Sequence, residues 1–355
     1  MPIDIKHQRQ YTIANDGKAK YKSIANDGNN RKEEMTVTLK MIADTAGVSI
    51  RSVTRALKGE TGGNPDTCRK IRELAKELGY VPNAAARNLR MRTSNVVGMI
   101  SSQDTAQVIS RRKMLIQRHL EREGYFPISA LLPSSPALLR KILLSWTGLT
   151  ESIIFSSWPR DWEPDEVLDG LLMNYIFIDN LESRRADKYK LINIDRESGI
   201  ATAVGHLIDS GRKRIAYCGP EMSTRVNGFF RAFRERGIEP EADAIIDSSH
   251  LDLEHGYAAA PALIAGKFDA VFAGTDRLAL GIYKYCNDKG VKIPETLAVT
   301  GFDNDDTSAY VSPPLSSIAH PEEKISRKVA ELIKNIKLPP GESIFPTEFI
   351  KRESC

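Results

Sequence analysis

The chain of 355 residues has room for two or three compact units. Its 41% hydrophobic and 7% aromatic content is that of an ordinary globular protein and excludes a disordered or fibrous one. No apolar run approaches the roughly 18 residues that span a bilayer. The opening MPIDIKHQRQYTIANDG lacks the apolar core of a secretory signal, so a cytoplasmic location and no membrane partner are expected. The net charge of +4 is unevenly spread: residues 35–95 carry 11 Lys+Arg against 5 Asp+Glu, whereas residues 96–355 carry 32 against 36. A basic segment ahead of a mildly acidic body suits a polyanion partner for one module, although a solvated charged face would give the same balance. Cys68, Cys218, Cys286 and Cys355 lie far apart, with no CxxC and no histidine pair nearby. That spacing argues against a structural zinc site and a disulfide framework, and no metal or cofactor is expected.

Residues 1–34 are polar and repeat Ile13-Ala14-Asn15-Asp16-Gly17 as Ile24-Ala25-Asn26-Asp27-Gly28. Two short polar copies cannot build a repeat fold, and the segment reads as a disordered leader. A chain starting at Met35 is therefore expected to fold and function unchanged.

Residues 35–82 read as a small all-α domain. Thr38 can cap a helix from Leu39 to about Ala46, Gly47-Val48-Ser49 turns, and Ser49 can cap a second helix from Ile50 to about Leu57 that stops at Gly59. Asn64-Pro65 opens a third helix with Ile71, Leu74, Ala75 and Leu78 at helical spacing. Helix, glycine turn, helix is the helix-turn-helix arrangement, whose second helix enters the major groove. Val53, Ala56 and Leu57 then face the core, leaving Ile50, Arg51, Ser52 and Arg55 outside, where arginine matches the paired acceptors of guanine. The competing reading is an ordinary three-helix bundle with a charged surface. Pro82 breaks the helical pattern, Asn83 can cap one further short helix over residues 84–90, and residues 83–95 form a hinge and linker.

From Val96 onward short apolar runs alternate with helical patterns. The strands expected are 96–100, 126–131, 152–155, 175–178, 191–194, 214–218, 270–272, 297–300 and 344–350. Such alternation implies an α/β core of two parallel-sheet subdomains, with ligand groups just beyond the carboxyl ends of the strands. The first subdomain is expected to hold about 96–195 and 321–336, the second about 196–318 and 343–355. Neither G-x-G-x-x-G nor G-x-x-x-x-G-K-[ST] occurs, and the six histidines show no metal or triad spacing, so an enzyme is disfavoured. The alternatives are a sugar-modifying enzyme and a transport-type solute binder, the latter needing a signal sequence and having no use for the basic module.

The runs TLKMIADTAGVSIRSVTRALKG and KIRELAKELGYVPNAAARNLRMRTSNVVGMI closely resemble the N-terminal region of the lactose repressor / galactose repressor family. FIDN at 177–180, RVNGF at 225–229, TDRLALG at 275–281, IPETLAVTGFDN and PPLSSIAHP extend the resemblance to the C-terminus. It implies a periplasmic-binding-protein-like core and a transcriptional regulator, most simply a repressor, controlled by a small effector such as a sugar. It further implies a homodimer on double-stranded operator DNA, with no C-terminal tetramerisation helix after Cys355. The DNA-facing set is then Thr38, Ser49, Ile50, Arg51, Ser52 and Arg55, joined by Asn83, Ala86, Arg87 and Leu89 of the hinge, with Leu89 wedging into a minor-groove step. Asp179, Arg225 and Asp303 match effector-contacting positions; Thr275 and Tyr257, near a stacking aromatic of some relatives, complete that set. Asp179 with Arg225 can alternatively be a structural ion pair. Ser101-Ser102-Gln103-Asp104-Thr105-Ala106 departs from the Asn-Pro-Phe-Phe-like segment of many relatives, which leaves the ligand's identity open.

Overall fold

The structure is a computed structural model that describes residues 37–59, 64–80, 95–102, 107–159, 161–179, 185–220 and 224–355, with the backbone of two paired two-residue strands, Thr12–Ile13 and Ala19–Lys20. The rest of the leader and the hinge positions Asn83, Ala86, Arg87 and Leu89 lie outside the described residues. The chain divides into two compact units, Met1–Asn83 and Ala84–Cys355.

In the first unit, α1 (Leu39–Ala46), α2 (Ile50–Lys58) and α3 (Pro65–Glu77) close on Ile42, Val53, Ala56 and Ile71, each at most 1% exposed. Local chemistry sets every boundary. The Thr38 hydroxyl accepts from Met41 N at 3.3 Å, the Ser49 hydroxyl from Ser52 N at 3.1 Å, and Asn64 Oδ1 from Asp66 N at 2.9 Å. Gly47 (φ 64°) and Gly59 (φ 71°) end their helices in the left-handed region that glycine enters without strain. Arg72 Nε donates to Ala56 O at 2.9 Å and ties α3 to the last turn of α2.

The second unit contains two six-stranded sheets. The first comprises β1 (Val96–Ser101), β2 (Phe126–Leu131), β3 (Ser152–Phe155), β4 (Asn174–Ile178), β5 (Lys190–Asp195) and β11 (Gly341–Pro346), all parallel, in the order β11-β5-β4-β3-β1-β2. The second comprises β6 (Ile215–Gly219), β7 (Ile245–Asp247), β8 (Ala270–Ala273), β9 (Ala298–Asp303), β10 (Ser316–Ala319) and β12 (Glu348–Ile350), in the order β12-β10-β9-β8-β6-β7, with only β12 antiparallel. Helices cover both faces of each sheet, as buried parallel strands require. On the first sheet α4 (Gln107–Arg122) and α11 (Glu322–Lys334) cover one face, and α5 (Pro136–Trp146) and α6 (Pro164–Leu168) the other. On the second, α7 (Arg196–Asp209) and α8 (Thr224–Arg234) oppose α9 (Leu253–Ala265) and α10 (Asp276–Lys289). Gly256 and Gly281 let α9 and α10 cross closely: a Cβ on either would stand 2.1 Å from a carbonyl oxygen of the other helix.

The strands expected from sequence need three corrections. The run 344–350 is two strands, not one, and they serve different sheets. β11 pairs in parallel with β5 through Pro346, so residues 343–346 belong to the first subdomain and the last crossover falls at Thr347. Thr347 marks the turn, its N–H and Oγ1 both donating to Asp195 O at 3.1 and 3.0 Å. β7 and β10 were not expected at all; β10 is rich in serine, and its polar groups are satisfied by Ser354 and Asp276 from far along the chain.

Candidate functional site

On α2, Val53 and Ala56 are fully buried, whereas Ile50 is 45% exposed and Arg51, Ser52 and the capping Ser49 are also exposed. Arg55 is half-buried, and Thr38 lies exposed at the start of α1. Ser49 Oγ and Ser52 Oγ are 2.9 Å apart, so one hydroxyl proton is shared along the exposed first turn. The helix thus offers one arginine, two hydroxyls and an isoleucine at its N-terminal end, the end that reads base edges in a helix-turn-helix.

The second cluster lies where the carboxyl ends of the two sheets converge. Ser101 ends β1, Ser156 follows β3, Asp179 follows β4 and Arg196 follows β5; from the other sheet come Asp303 at the end of β9 and His320 just after β10. Asp179 (φ 63°) and Asp303 (φ 104°) hold left-handed backbone conformations that non-glycine residues adopt only under constraint, a pattern typical of functional sites. Both Asp179 oxygens accept from the guanidinium of Arg196 in a bidentate fork. Burial works against the Arg196 cation, but Asp179, with Asp303 and Glu322 behind it, holds its pKa above the usual value.

Arg225 sits with its guanidinium carbon 4.7 Å from the centre of the Phe302 ring. Burial pulls its pKa below the usual arginine range; Asp303 opposes that and the neighbouring Arg196 reinforces it. Asp303 Oδ1 is 3.1 Å from His320 Nε2. Burial lowers the His320 pKa although Asp303 pulls the other way. A neutral ring that donates from Nε2 to Asp303 leaves Nδ1 as an acceptor. Nδ1 of His320 and the hydroxyls of Ser101 and Ser156 are buried without a hydrogen-bond partner among the described residues. Each such group costs about 1–3 kcal/mol until something satisfies it.

Of the residues expected in this site, Asp179, Arg225 and Asp303 come together, but the partner of Asp179 is Arg196 and not Arg225. Thr275 is buried and its hydroxyl is fully used: it caps α10 by accepting from Leu278 N at 3.2 Å and donates to Leu251 O at 3.0 Å. Tyr257 does not reach the cluster. Its hydroxyl donates to Asp288 Oδ2 at 3.2 Å and its ring packs edge-on against Tyr285, on an exposed face. Asp288 lies about 18 Å along α10 from the cluster end of that helix. Arg196 and His320 escaped the sequence reading, although both stand where a parallel sheet places ligand groups; Arg196 follows an expected strand, whereas β10 was not expected. A separate open depression of about 670 Å³, lined by Asp165, Tyr175, Lys188 and Tyr189 among others, lies at the opposite, amino-terminal ends of β4 and β5. Among the described residues no helix is long and apolar enough to cross a membrane.

Comparison with known proteins adds to this geometry. A family model for "Bacterial regulatory proteins, lacI family" matches residues 38–83, and one for "Periplasmic binding protein-like domain" matches residues 204–355. Catabolite control protein A of Priestia megaterium is 30% identical over 300 residues, covering 81% of this chain and 88% of that protein. The HTH-type transcriptional regulator CelR of Thermobifida fusca is 27% identical over 308 residues, covering 83% and 90%. Among solved structures, the Lac repressor dimer bound to operator and the anti-inducer ONPF matches the fold with a TM-score of 0.75 at 20% identity, over 90% of this chain and 99% of that one. The CelR–cellobiose complex matches with a TM-score of 0.65 at 24% identity, over 90% and 100%. With its helix-turn-helix unit and its two-sheet core, the chain belongs to the lacI family of bacterial regulatory proteins, which are DNA-binding transcriptional regulators and not enzymes.

Proposed function

We propose that the chain is a homodimeric repressor whose affinity for a two-fold symmetric operator is set by a small polar effector, a sugar or sugar derivative, bound between the two subdomains. The observation that carries the effector half is the meeting of Asp179, Arg196, Arg225, Asp303 and His320 from opposing sheets, beside buried hydroxyls without partners among the described residues. Convergent polar groups in a cleft between subdomains suit a ligand rich in hydroxyls. The operator half rests on the exposed Ile50, Arg51 and Ser52 of α2; the roles of Asn83, Ala86, Arg87 and Leu89 rest on family resemblance. A second copy is supported by the edge strand β2, where Phe126 is 65% and Leu131 50% exposed.

The test is a thermal-shift screen of the full chain against mono- and disaccharides, followed by calorimetry and gel shift. Arg225→Ala is expected to weaken binding of any sugar found at least tenfold and to leave operator affinity without sugar near wild type. A panel in which no sugar raises the melting midpoint would overturn the sugar reading. Arg51→Ala is expected to cost about 1–3 kcal/mol of specific operator binding, with the salt-sensitive non-specific component retained.

A further inference from the structure

Asp303 and Asn304 are consecutive non-glycine residues with positive φ, 104° and 48°. Backbone of this kind is strained and persists only where surroundings over-determine it. Part of the constraint comes from the second subdomain itself. Asn304 N donates to Ser317 Oγ at 3.0 Å, Asp305 N donates to Asp276 Oδ2 at 2.7 Å, and Arg352 Nη2 donates to Asn304 Oδ1 at 2.7 Å.

The rest comes from across the cleft, from the first two turns of α4. Gln107 and Arg111 are four residues apart and so share one helix face. Gln107 Nε2 donates to Asp306 Oδ2 at 2.7 Å, and Asp306 N donates back to Gln107 Oε1 at 2.9 Å. One turn further on, Arg111 donates from Nη1 to Asn304 O at 3.3 Å and from Nη2 to Asp303 O at 3.4 Å, with Asp306 Oδ1 3.7 Å from its Nη1. Three of the four residues 303–306 of one subdomain, Asp303, Asn304 and Asp306, are therefore gripped by two side chains of the other. The backbone carbonyl of Asp303 takes part in this grip while its carboxylate faces His320.

We propose that Gln107 and Arg111 are positioning residues that clamp segment 303–306 across the cleft, so that subdomain closure and the left-handed conformation of Asp303 form one event. Opening the cleft releases both carbonyls and the Asp306 amide together. The segment then loses the contacts that offset its strain, and the Asp303 carboxylate loses its fixed aim. The clamp acts through the backbone and needs no direct contact with effector, so it stands apart from the residues named above as effector ligands.

Hydrogen–deuterium exchange of the full chain tests this without effector or operator, so its failure leaves the proposed function untouched. In Gln107→Ala and in Arg111→Ala, peptides spanning 304–310 are expected to exchange about tenfold faster than wild type, as loss of a hydrogen bond of about 1.4 kcal/mol implies. Peptides of α10 beyond Leu280 are expected to be unchanged. Arg111→Lys, which keeps a donor within reach of the carbonyls, is expected to restore part of the protection. Asp306→Asn keeps the acceptor for Gln107 and is expected to retain protection, whereas Asp306→Ala loses it in the first turn of α4 as well. Gln107→Glu serves as a second variant of unchanged length; it sets one carboxylate against another and is expected to accelerate exchange as Gln107→Ala does, less so at high salt. Wild-type exchange across 304–310 in both Gln107→Ala and Arg111→Ala would overturn the proposal.

Discussion

The two halves of the cleft are built on different terms. On the second-subdomain side Asp276 accepts from Ser317 Oγ at 2.5 Å, Ser308 Oγ at 2.5 Å and Asp305 N at 2.7 Å, and Ser317 in turn receives Asn304 N. The network around Asp276 is closed within the protein, although on the same side His320 Nδ1 has no partner among the described residues. On the first-subdomain side, Ser101 at the end of β1 and Ser156 just after β3 carry buried hydroxyls that meet no partner among the described residues. The difference separates a carboxylate network that is already rigid from strand-end hydroxyls that hold bonding capacity in reserve. A closed network fixes geometry, whereas buried hydroxyls in reserve favour a ligand that supplies what they lack.

The largest expected effect falls on the closed side. Asp276→Ala strips three donors of their acceptor at once and is expected to destabilise the chain by about 3–5 kcal/mol in chemical denaturation. A loss below about 1 kcal/mol would show that the network is decoration and would erase the contrast between the halves.

The same carboxylate predicts a pH dependence. Burial raises Asp276 from 3.8 to about 7, against the pull of Ser308, Ser317 and the Asp305 amide. The folded chain then holds this proton more tightly than the unfolded chain does. The resulting stability is present in full below 3.8 and is lost as the pH rises to about 7. His320 and His206, both lowered from 6.5 chiefly by burial, act in the opposite sense, their contribution being lost as the pH falls. Comparison of wild type with Asp276→Asn isolates the carboxylate: the variant is expected to lose less stability than wild type between pH 5 and pH 8. Parallel profiles would mean that Asp276 is ionised throughout.

Two serine substitutions sharpen the comparison further. Ser317→Ala removes a donor to Asp276 and the acceptor of Asn304 N, and is expected to cost about 1–3 kcal/mol. Ser156→Ala removes a buried hydroxyl that has no partner among the described residues and is expected to stabilise the chain by up to about 1–3 kcal/mol, less the packing lost with the oxygen. A Ser156→Ala penalty matching that of Ser317→Ala would place both halves in one class.

Sequence reading was strongest where structure is local. Thr38, Ser49 and Asn64 cap their helices through partners two or three residues away, and Gly47 and Gly59 stop them, so those boundaries were visible in short windows of sequence. The apolar strands β1, β3 and β8 were equally plain. It failed where satisfaction is remote. β10 reads as a polar loop because Ser316 N finds its acceptor, Ser354 Oγ, 38 residues away. Arg225 lies near Asp303, but the partner of Asp179 is Arg196, which depends on which strands stand side by side. Tyr257 was misplaced because proximity in an aligned motif does not say along which end of a neighbouring helix a ring will lie.

The order of the strands also bears on how the chain is made. β11 edges the first sheet and β12 the second, yet both are drawn from residues 341–350. The first sheet starts at Val96 and waits about 250 residues for its last strand. At 5–20 residues per second, a ribosome needs on the order of 10 s or more to supply it. For the last of those residues, about 145 from Asp195 to Gly341, β5 exposes an unpaired edge, and β10 does so for about 30 residues, from Ala319 to Glu348. Neither sheet has its full set of strands until residues 341–350 have been made. Both are completed nearly together, by one ten-residue stretch leaving the exit tunnel, and until then each is a docking surface for chaperones or for a neighbouring nascent chain.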